Sequence, residues 1–184
     1  GKILITEGYT IKQIAKAIES NKIDTKTTST PYKADDFLKL VQDETFIKKM
    51  VAKYPNLLGS LPDKSKAIYQ LEGYLFPATY NYYKDTTLEG LVEDMISTMN
   101  TKMAPYYNTI KAKNMSVNDV LTLSSLVEKE GSTDEDRRKI ASVFYNRLSA
   151  GQALQSNIAI LYAMGKLGDK TSLAEDAQIN TSIK

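Results

Sequence analysis

The 184-residue sequence predicts an α+β protein, a small strand–helix unit followed by a mostly helical body with a few short strands. Three observations predict it. Ile3-Leu4-Ile5 is a short apolar run, followed by a turn at Thr6-Glu7-Gly8-Tyr9 and by Ile11, Ile14, Ala15 and Ile18 at helical spacing. Residues 67–83 are aromatic and broken by Gly73 and Pro77, which suits strand and loop rather than helix. Beyond residue 86, apolar residues recur at helical period between the breakers Pro105, Gly131, Gly151 and Gly165. Pro55, Gly59 and Pro62 punctuate the chain between these regions. They place a boundary there, dividing residues 1–62 from a main domain at 63–184.

The individual elements follow from local chemistry. Thr10-Ile11-Lys12-Gln13 is a capping box, with Thr at the N-cap and Gln three residues on. Residues 20–33, rich in Thr, Ser, Lys and Asn, read as a loop closed by Pro31. Phe37, Leu38 and Val41 mark one short helix, and Phe46, Ile47, Met50 and Val51 another. Thr86-Thr87 opens a long amphipathic helix with Leu88, Leu91, Val92, Met95, Ile96 and Met99 facing inward; methionines at this spacing are core packing. Pro105 ends or bends it. Ser116, with Asp119 at N3, starts a helix that Gly131 is placed to stop. Ser132-Thr133-Asp134-Glu135 starts another, running through Ile140, Val143, Phe144 and Leu148. The last apolar helix runs from Ile158 to Met164.

Composition excludes whole classes of chemistry. The chain has no His and no Cys. That removes a Ser-His-Asp triad, a His-bearing zinc site, a thiolate nucleophile and any disulfide. A net charge of +2, without a Lys/Arg stripe interleaved with aromatics, gives no footprint for nucleic acid. No apolar run approaches the roughly 20 residues of a membrane span. Phosphate loops of the GxGxxG or GxxxxGK[ST] kind are absent. Asp134-Glu135-Asp136 reads as first-turn acids complementing a helix N-terminus, not as a metal cluster.

What remains for acid–base work is carboxylates. Leu123 to Gly131 puts Glu128 and Glu130 at the end of an otherwise apolar helix. Both lie at edges of the apolar face, so helical angle alone does not choose between them. Side-chain direction does. Helical side chains lean back over positions i−3 and i−4, so Glu128 lies over Ser125 and Ser124 while Glu130 lies over Val127 and Leu126. Small residues leave space for a ligand beside Glu128. Glu130 then reads as a structural or supporting carboxylate, with Ser124 beneath the reactive one. The plain alternative is two solvated acids at a helix end. Glu72 lies inside the aromatic segment and, alone, reads equally well as an exposed strand residue.

Four ordered motifs now carry a resemblance. They are Ile3-Leu4-Ile5-Thr6-Glu7-Gly8-Tyr9-Thr10, Leu71-Glu72-Gly73-Tyr74-Leu75-Phe76-Pro77-Ala78-Thr79-Tyr80, Leu123 to Glu130, and Val143-Phe144-Tyr145-Asn146-Arg147-Leu148 with Leu154-Gln155-Ser156. In order and spacing they resemble the endolytic murein transglycosylases, the MltG/YceG-like family, over essentially the whole chain. The family pattern has Asp where this chain has Ala78, and Asp-Pro where it has Asn157-Ile158.

The resemblance implies a LysM-like subdomain within residues 1–62 and a transglycosylase catalytic domain over 63–184. It implies cleavage of the β-1,4 bond between N-acetylmuramic acid and N-acetylglucosamine in peptidoglycan, leaving 1,6-anhydromuramoyl ends. Glu128 is then the catalytic acid and base, with Glu130 and Ser124 supporting it. Glu72, Tyr74, Asn146, Arg147, Gln155, Ser156 and Asn157 are the expected substrate-binding residues. Arg147 fits a lactyl or peptide carboxylate and fits a surface salt bridge equally well. No cofactor or metal is expected. The implied partners are peptidoglycan glycan strands and the cell-wall synthesis machinery, with no nucleic acid. The expected location is the extracellular face of the bacterial membrane, reached through an anchor outside this sequence; the chain reads as a truncated extracellular portion. The competing reading is a non-catalytic peptidoglycan-binding module that uses the N-terminal unit and the tyrosines.

Overall fold

The structure, a computed structural model, describes residues 1–23 and 26–122. The chain divides into two compact units, Gly1–Met103 and Ala104–Lys184.

The first unit begins with strand β1 (Lys2–Leu4), which pairs antiparallel with β4 (Thr79–Asn81) in the register Lys2↔Asn81, Ile3↔Tyr80, Leu4↔Thr79. Ile3 and Tyr80 meet on the buried face, so the period-2 alternation of each strand puts one side chain in and its neighbours out. The ladder extends by a bond from the Ile5 N–H to the Ala78 carbonyl, 2.9 Å.

Helix α1 (Ile11–Glu19) buries Ile11, Ile14, Ala15 and Ile18 along one stripe. Its capping box forms as the sequence predicts: the Gln13 N–H donates to Thr10 Oγ1, and the Thr10 N–H to Gln13 Oε1.

The polar stretch after α1 departs from expectation. Residues 20–33 are not one loop. They contain an antiparallel hairpin, β2 (Ser20–Ile23) and β3 (Lys26–Ser29), in the register Ser20↔Ser29 to Ile23↔Lys26. The segment carries no alternation of apolar and polar residues to reveal it, because the ladder is satisfied by main-chain bonds in a polar sequence. Asn21, at 4 % exposure, is the one buried polar residue recorded among the described residues. Its side chain accepts the Leu4 N–H at 3.2 Å and donates to the Lys2 carbonyl at 2.5 Å. A single amide thereby does for the second edge of β1 what a neighbouring strand would do.

Helices α2 (Ala34–Leu40) and α3 (Glu44–Lys53) lie where the apolar spacing predicts them. α1 and α2 pack together. Asp43 caps α3 by accepting the Phe46 N–H. A fourth short helix, α4 (Pro55–Leu58), occupies what reads as punctuation in the sequence. Pro55 opens it, since proline lacks only an N–H that a first helical turn leaves unpaired anyway. Leu57 and Leu58 are buried, and α4 packs on α5 (Leu88–Met103). The structure therefore draws its division at Met103 rather than near Pro62, because β4, α4 and α5 complete the core that β1 and α1 begin.

α5 buries Leu91, Val92, Met95, Ile96, Met99 and Met103, while Leu88 sits half-buried at its start. Pro105 falls in a 3-10 turn (Ala104–Tyr106) just after α5.

In the second unit, helix α6 (Tyr107–Ala112) ends in a reciprocal pair of bonds: Met115 N–H to the Ile110 carbonyl, and Asn114 N–H to that of Lys111. Asn114 sits at φ 54°, the left-handed geometry that closes this kind of helix end. The next helix starts at 117. Ser116 Oγ accepts the Asp119 N–H at 3.0 Å, and Asp119 Oδ2 accepts the Ser116 N–H at 2.9 Å. That is the box read from the sequence.

Candidate functional site

The helix expected to carry the reactive carboxylate begins at 117, with Val117, Val120 and Leu121 buried on one stripe. Glu128, Glu130, Ser124, Asn146, Arg147, Gln155, Ser156 and Asn157 lie outside the described residues. Two of the expected site residues, Glu72 and Tyr74, lie within them.

Both have other tasks in the structure. Leu71-Glu72-Gly73-Tyr74 is a tight turn closed by a bond from the Tyr74 N–H to the Leu71 carbonyl, 2.9 Å. Gly73, at φ +85°, supplies the positive dihedral at the third position. Leu71 is fully buried and Tyr74 is 1 % exposed. A ring this deep presents no face to a sugar, so Tyr74 is a core residue of the first unit. Its aromaticity misleads because a tyrosine in a core and one in a binding groove look alike in sequence. The Glu72 carboxylate accepts the Ile11 N–H through both oxygens, at 2.9 and 3.2 Å. It meets the positive end of α1. Nothing in the spacing reveals this, since 61 residues separate the partners.

The segment that follows is held tightly. The Phe76 N–H donates to the Met95 carbonyl at 3.3 Å, and Lys102 Nζ lies 5.7 Å from the centre of the Phe76 ring. The Tyr80 hydroxyl donates to the Phe76 carbonyl at 2.5 Å. Burial pushes the Tyr80 hydroxyl up to about 12. Tyr80 is therefore a neutral donor at physiological pH, fixing the 76–80 bend. In the second unit burial likewise pushes Tyr107 up to about 12.

A cleft of about 410 Å³ opens between the start of α3 and residues 61–70. Lys48 and Lys64 share Glu44 there, at 3.2 and 3.6 Å, beside Leu61 and Gln70. Neither Glu72 nor Tyr74, the two predicted site residues within the described part, lines it. Among the described residues no group of three or more acids stands close enough to hold a metal ion, and no helix is long and apolar enough to cross a membrane.

The described architecture is that of a helix-rich α+β protein with small antiparallel sheets, shared with a crystal structure of a yceG-like protein from Listeria monocytogenes. That structure matches with a TM-score of 0.69 at 37 % identity, covering 89 % of this chain and 52 % of the other. The YceG-like family model matches residues 1–183, and the chain belongs to that family. The chain is 57 % identical over 182 residues to the endolytic murein transglycosylase of Streptococcus pneumoniae serotype 2 strain D39. It is 37 % identical over 181 residues to that of Bacillus subtilis strain 168. Each alignment takes in 98 % of this chain but only 32 % and 48 % of the relatives, so the chain spans about a third to a half of their length.

Proposed function

We propose that this chain is part of an endolytic murein transglycosylase that cuts the β-1,4 bond between N-acetylmuramic acid and N-acetylglucosamine and leaves 1,6-anhydro ends. The observation that carries the proposal is the 57 % identity, across 98 % of the chain, with a relative bearing that activity's name.

The chemistry suits a chain without His or Cys. A hydrolytic glycosidase needs two carboxyl groups, one as acid and one as nucleophile or base. Here the sugar's own 6-hydroxyl attacks the anomeric carbon, and its attachment to the same ring supplies the effective molarity of an intramolecular reaction. One carboxyl group then serves twice. Glu128 protonates the leaving glycosidic oxygen and afterwards takes the proton of the 6-hydroxyl, ending in its starting state. To begin protonated it needs apolar neighbours that disfavour its charged form, which Val127 and Leu121 are placed in the sequence to supply. Asn146, Arg147, Gln155, Ser156 and Asn157 are the proposed ligands for sugar amides, hydroxyls and a lactyl or peptide carboxylate.

We read the β1–α1–α2–β4 arrangement as the LysM-like part. The support is the antiparallel β1–β4 pair together with α1 and α2, which lie in the chain between the two strands and pack on each other. The proposed setting is the outer face of the bacterial membrane, with glycan strands as substrate and wall-synthesis proteins as neighbours.

The test is digestion of purified peptidoglycan by the complete protein, followed by mass spectrometry for anhydro ends. Glu128→Gln is expected to lower their release by about 10²- to 10⁴-fold, and Glu130→Gln by far less. Undiminished cleavage by Glu128→Gln would show that the carboxylate is misassigned.

A further inference from the structure

The chain contains the tripeptide Glu-Gly-Tyr twice, at 7–9 and at 72–74. Both copies fold into the same turn. Tyr9 N–H donates to the Thr6 carbonyl at 3.2 Å, and Tyr74 N–H to that of Leu71 at 2.9 Å. The glycines sit at φ +83° and +85°. The anchors differ. Thr6 is exposed and Tyr9 is 38 % exposed, whereas Leu71 and Tyr74 are locked in the core. The first turn is a connection leading straight into the Thr10 cap of α1. The second is a rigid base, and the residue at its apex, Glu72, points its carboxylate at the first N–H of that same helix.

That N–H has no partner of its own within the helix. The capping box satisfies Gln13 and Thr10, and the helical ladder begins with the bond from Ile14 to Thr10. Ile11 is left for an outside acceptor, and an anionic one also complements the helix dipole.

We propose that the Leu71–Tyr74 turn is an internal clamp for the N-terminus of α1, with Glu72 as the positioning residue. The clamp holds α1 against the chain that runs from the turn into β4. It thereby helps set the register in which β1 meets β4, since β1 enters α1 through the first turn. Gly73 serves the clamp through its dihedral and not through crowding: a Cβ built there meets nothing within 4 Å.

The proposal is independent of transglycosylase activity, and its readout is local. Hydrogen exchange at the Ile11 amide is measured in the 184-residue chain, with equilibrium unfolding. Glu72→Ala is expected to speed exchange at Ile11 by about tenfold, the scale of a lost charge-assisted hydrogen bond, while the Gln13 amide inside the capping box changes little. Glu72→Gln keeps an acceptor oxygen and recovers part of the protection.

Ile11→Pro provides the decisive background. It deletes the N–H at a helix position that accepts proline, and Thr10 already has the extended backbone (φ −73°, ψ 166°) that a following proline requires. In Ile11→Pro, Glu72→Ala should have little further effect on the unfolding midpoint. Unchanged Ile11 exchange in Glu72→Ala, or an undiminished cost of Glu72→Ala on top of Ile11→Pro, overturns the clamp. Loss of glycan binding in Glu72→Ala with Ile11 protection intact would instead make Glu72 a ligand, and it overturns the clamp equally.

Discussion

Asn21 shows how much one side chain can carry. Its amide pairs the Leu4 N–H and the Lys2 carbonyl, and the residue is buried. Replacing it with Ala strands both main-chain groups, so Asn21→Ala is expected to cost about 1–3 kcal/mol, read from denaturant unfolding. Asn21→Asp keeps the acceptor for Leu4 but loses the donor, and should cost more than half as much. The sequence gives no sign of this role, because an Asn in a polar stretch looks like any surface Asn. Glu72 is similar: its partner lies 61 residues away, and no periodicity connects them. Side-chain roles fixed by local spacing are readable, as the Thr10–Gln13 and Ser116–Asp119 boxes show. Roles that depend on tertiary proximity are not.

Among the elements, helices with a dense apolar stripe were legible and the hairpin was not. α1, α3 and α5 each announce a buried face by spacing. α4 is hidden because Pro55 signals a break and a helix start with the same letter. The turn at 71–74 makes its own prediction: Gly73→Ala forces a side chain to φ +85° and should destabilise the chain by about 1–2 kcal/mol in thermal or urea unfolding.

The contact between α3 and α5 predicts a pH dependence. Lys53 donates to Glu93 at 2.7 Å and the Tyr54 hydroxyl donates to it at 3.1 Å. The Lys53 bond chiefly holds the Glu93 carboxyl below its ordinary range. A depressed folded-state pKa stabilises above the unfolded value, and that stability is lost as pH falls through the folded one. Asp94 runs the other way: burial first, then the neighbouring Glu93, raises it. Its contribution is present below the unfolded value and is lost as pH rises through the folded one. Unfolding midpoints measured from about pH 3 to about pH 7 should therefore fall less steeply toward acid in Glu93→Gln. In Asp94→Asn the midpoint should rise at neutral pH.

For the molecule as a whole, the stretch punctuated by Pro55, Gly59 and Pro62 lies inside the first compact unit, Gly1–Met103. Composition marks a place where helices stop, but only pairing reveals that the partner of β1 lies at 79–81 and that α5 covers the core above α4. Residues 1–62 expressed alone should therefore lack cooperative unfolding and dispersed amide resonances. Residues 1–103, which include β4 and α5, should show both. Glu128 and Glu130, outside the described residues, are singled out in the sequence because acid–base chemistry restricts which residue types can serve. In a chain with no His or Cys, carboxylates are nearly all that remains.

The amide of Asn21 has a consequence beyond stability. A three-residue strand paired on one side offers its other edge as a template for foreign chains, the usual starting point for edge-to-edge aggregation. With β4 on one side and Asn21 on the other, β1 has neither edge to offer. The same short apolar run, Ile3-Leu4-Ile5, would be a hazard if it were bare. Asn21→Val should therefore shift this protein toward concentration-dependent self-association, visible by light scattering well below its unfolding temperature.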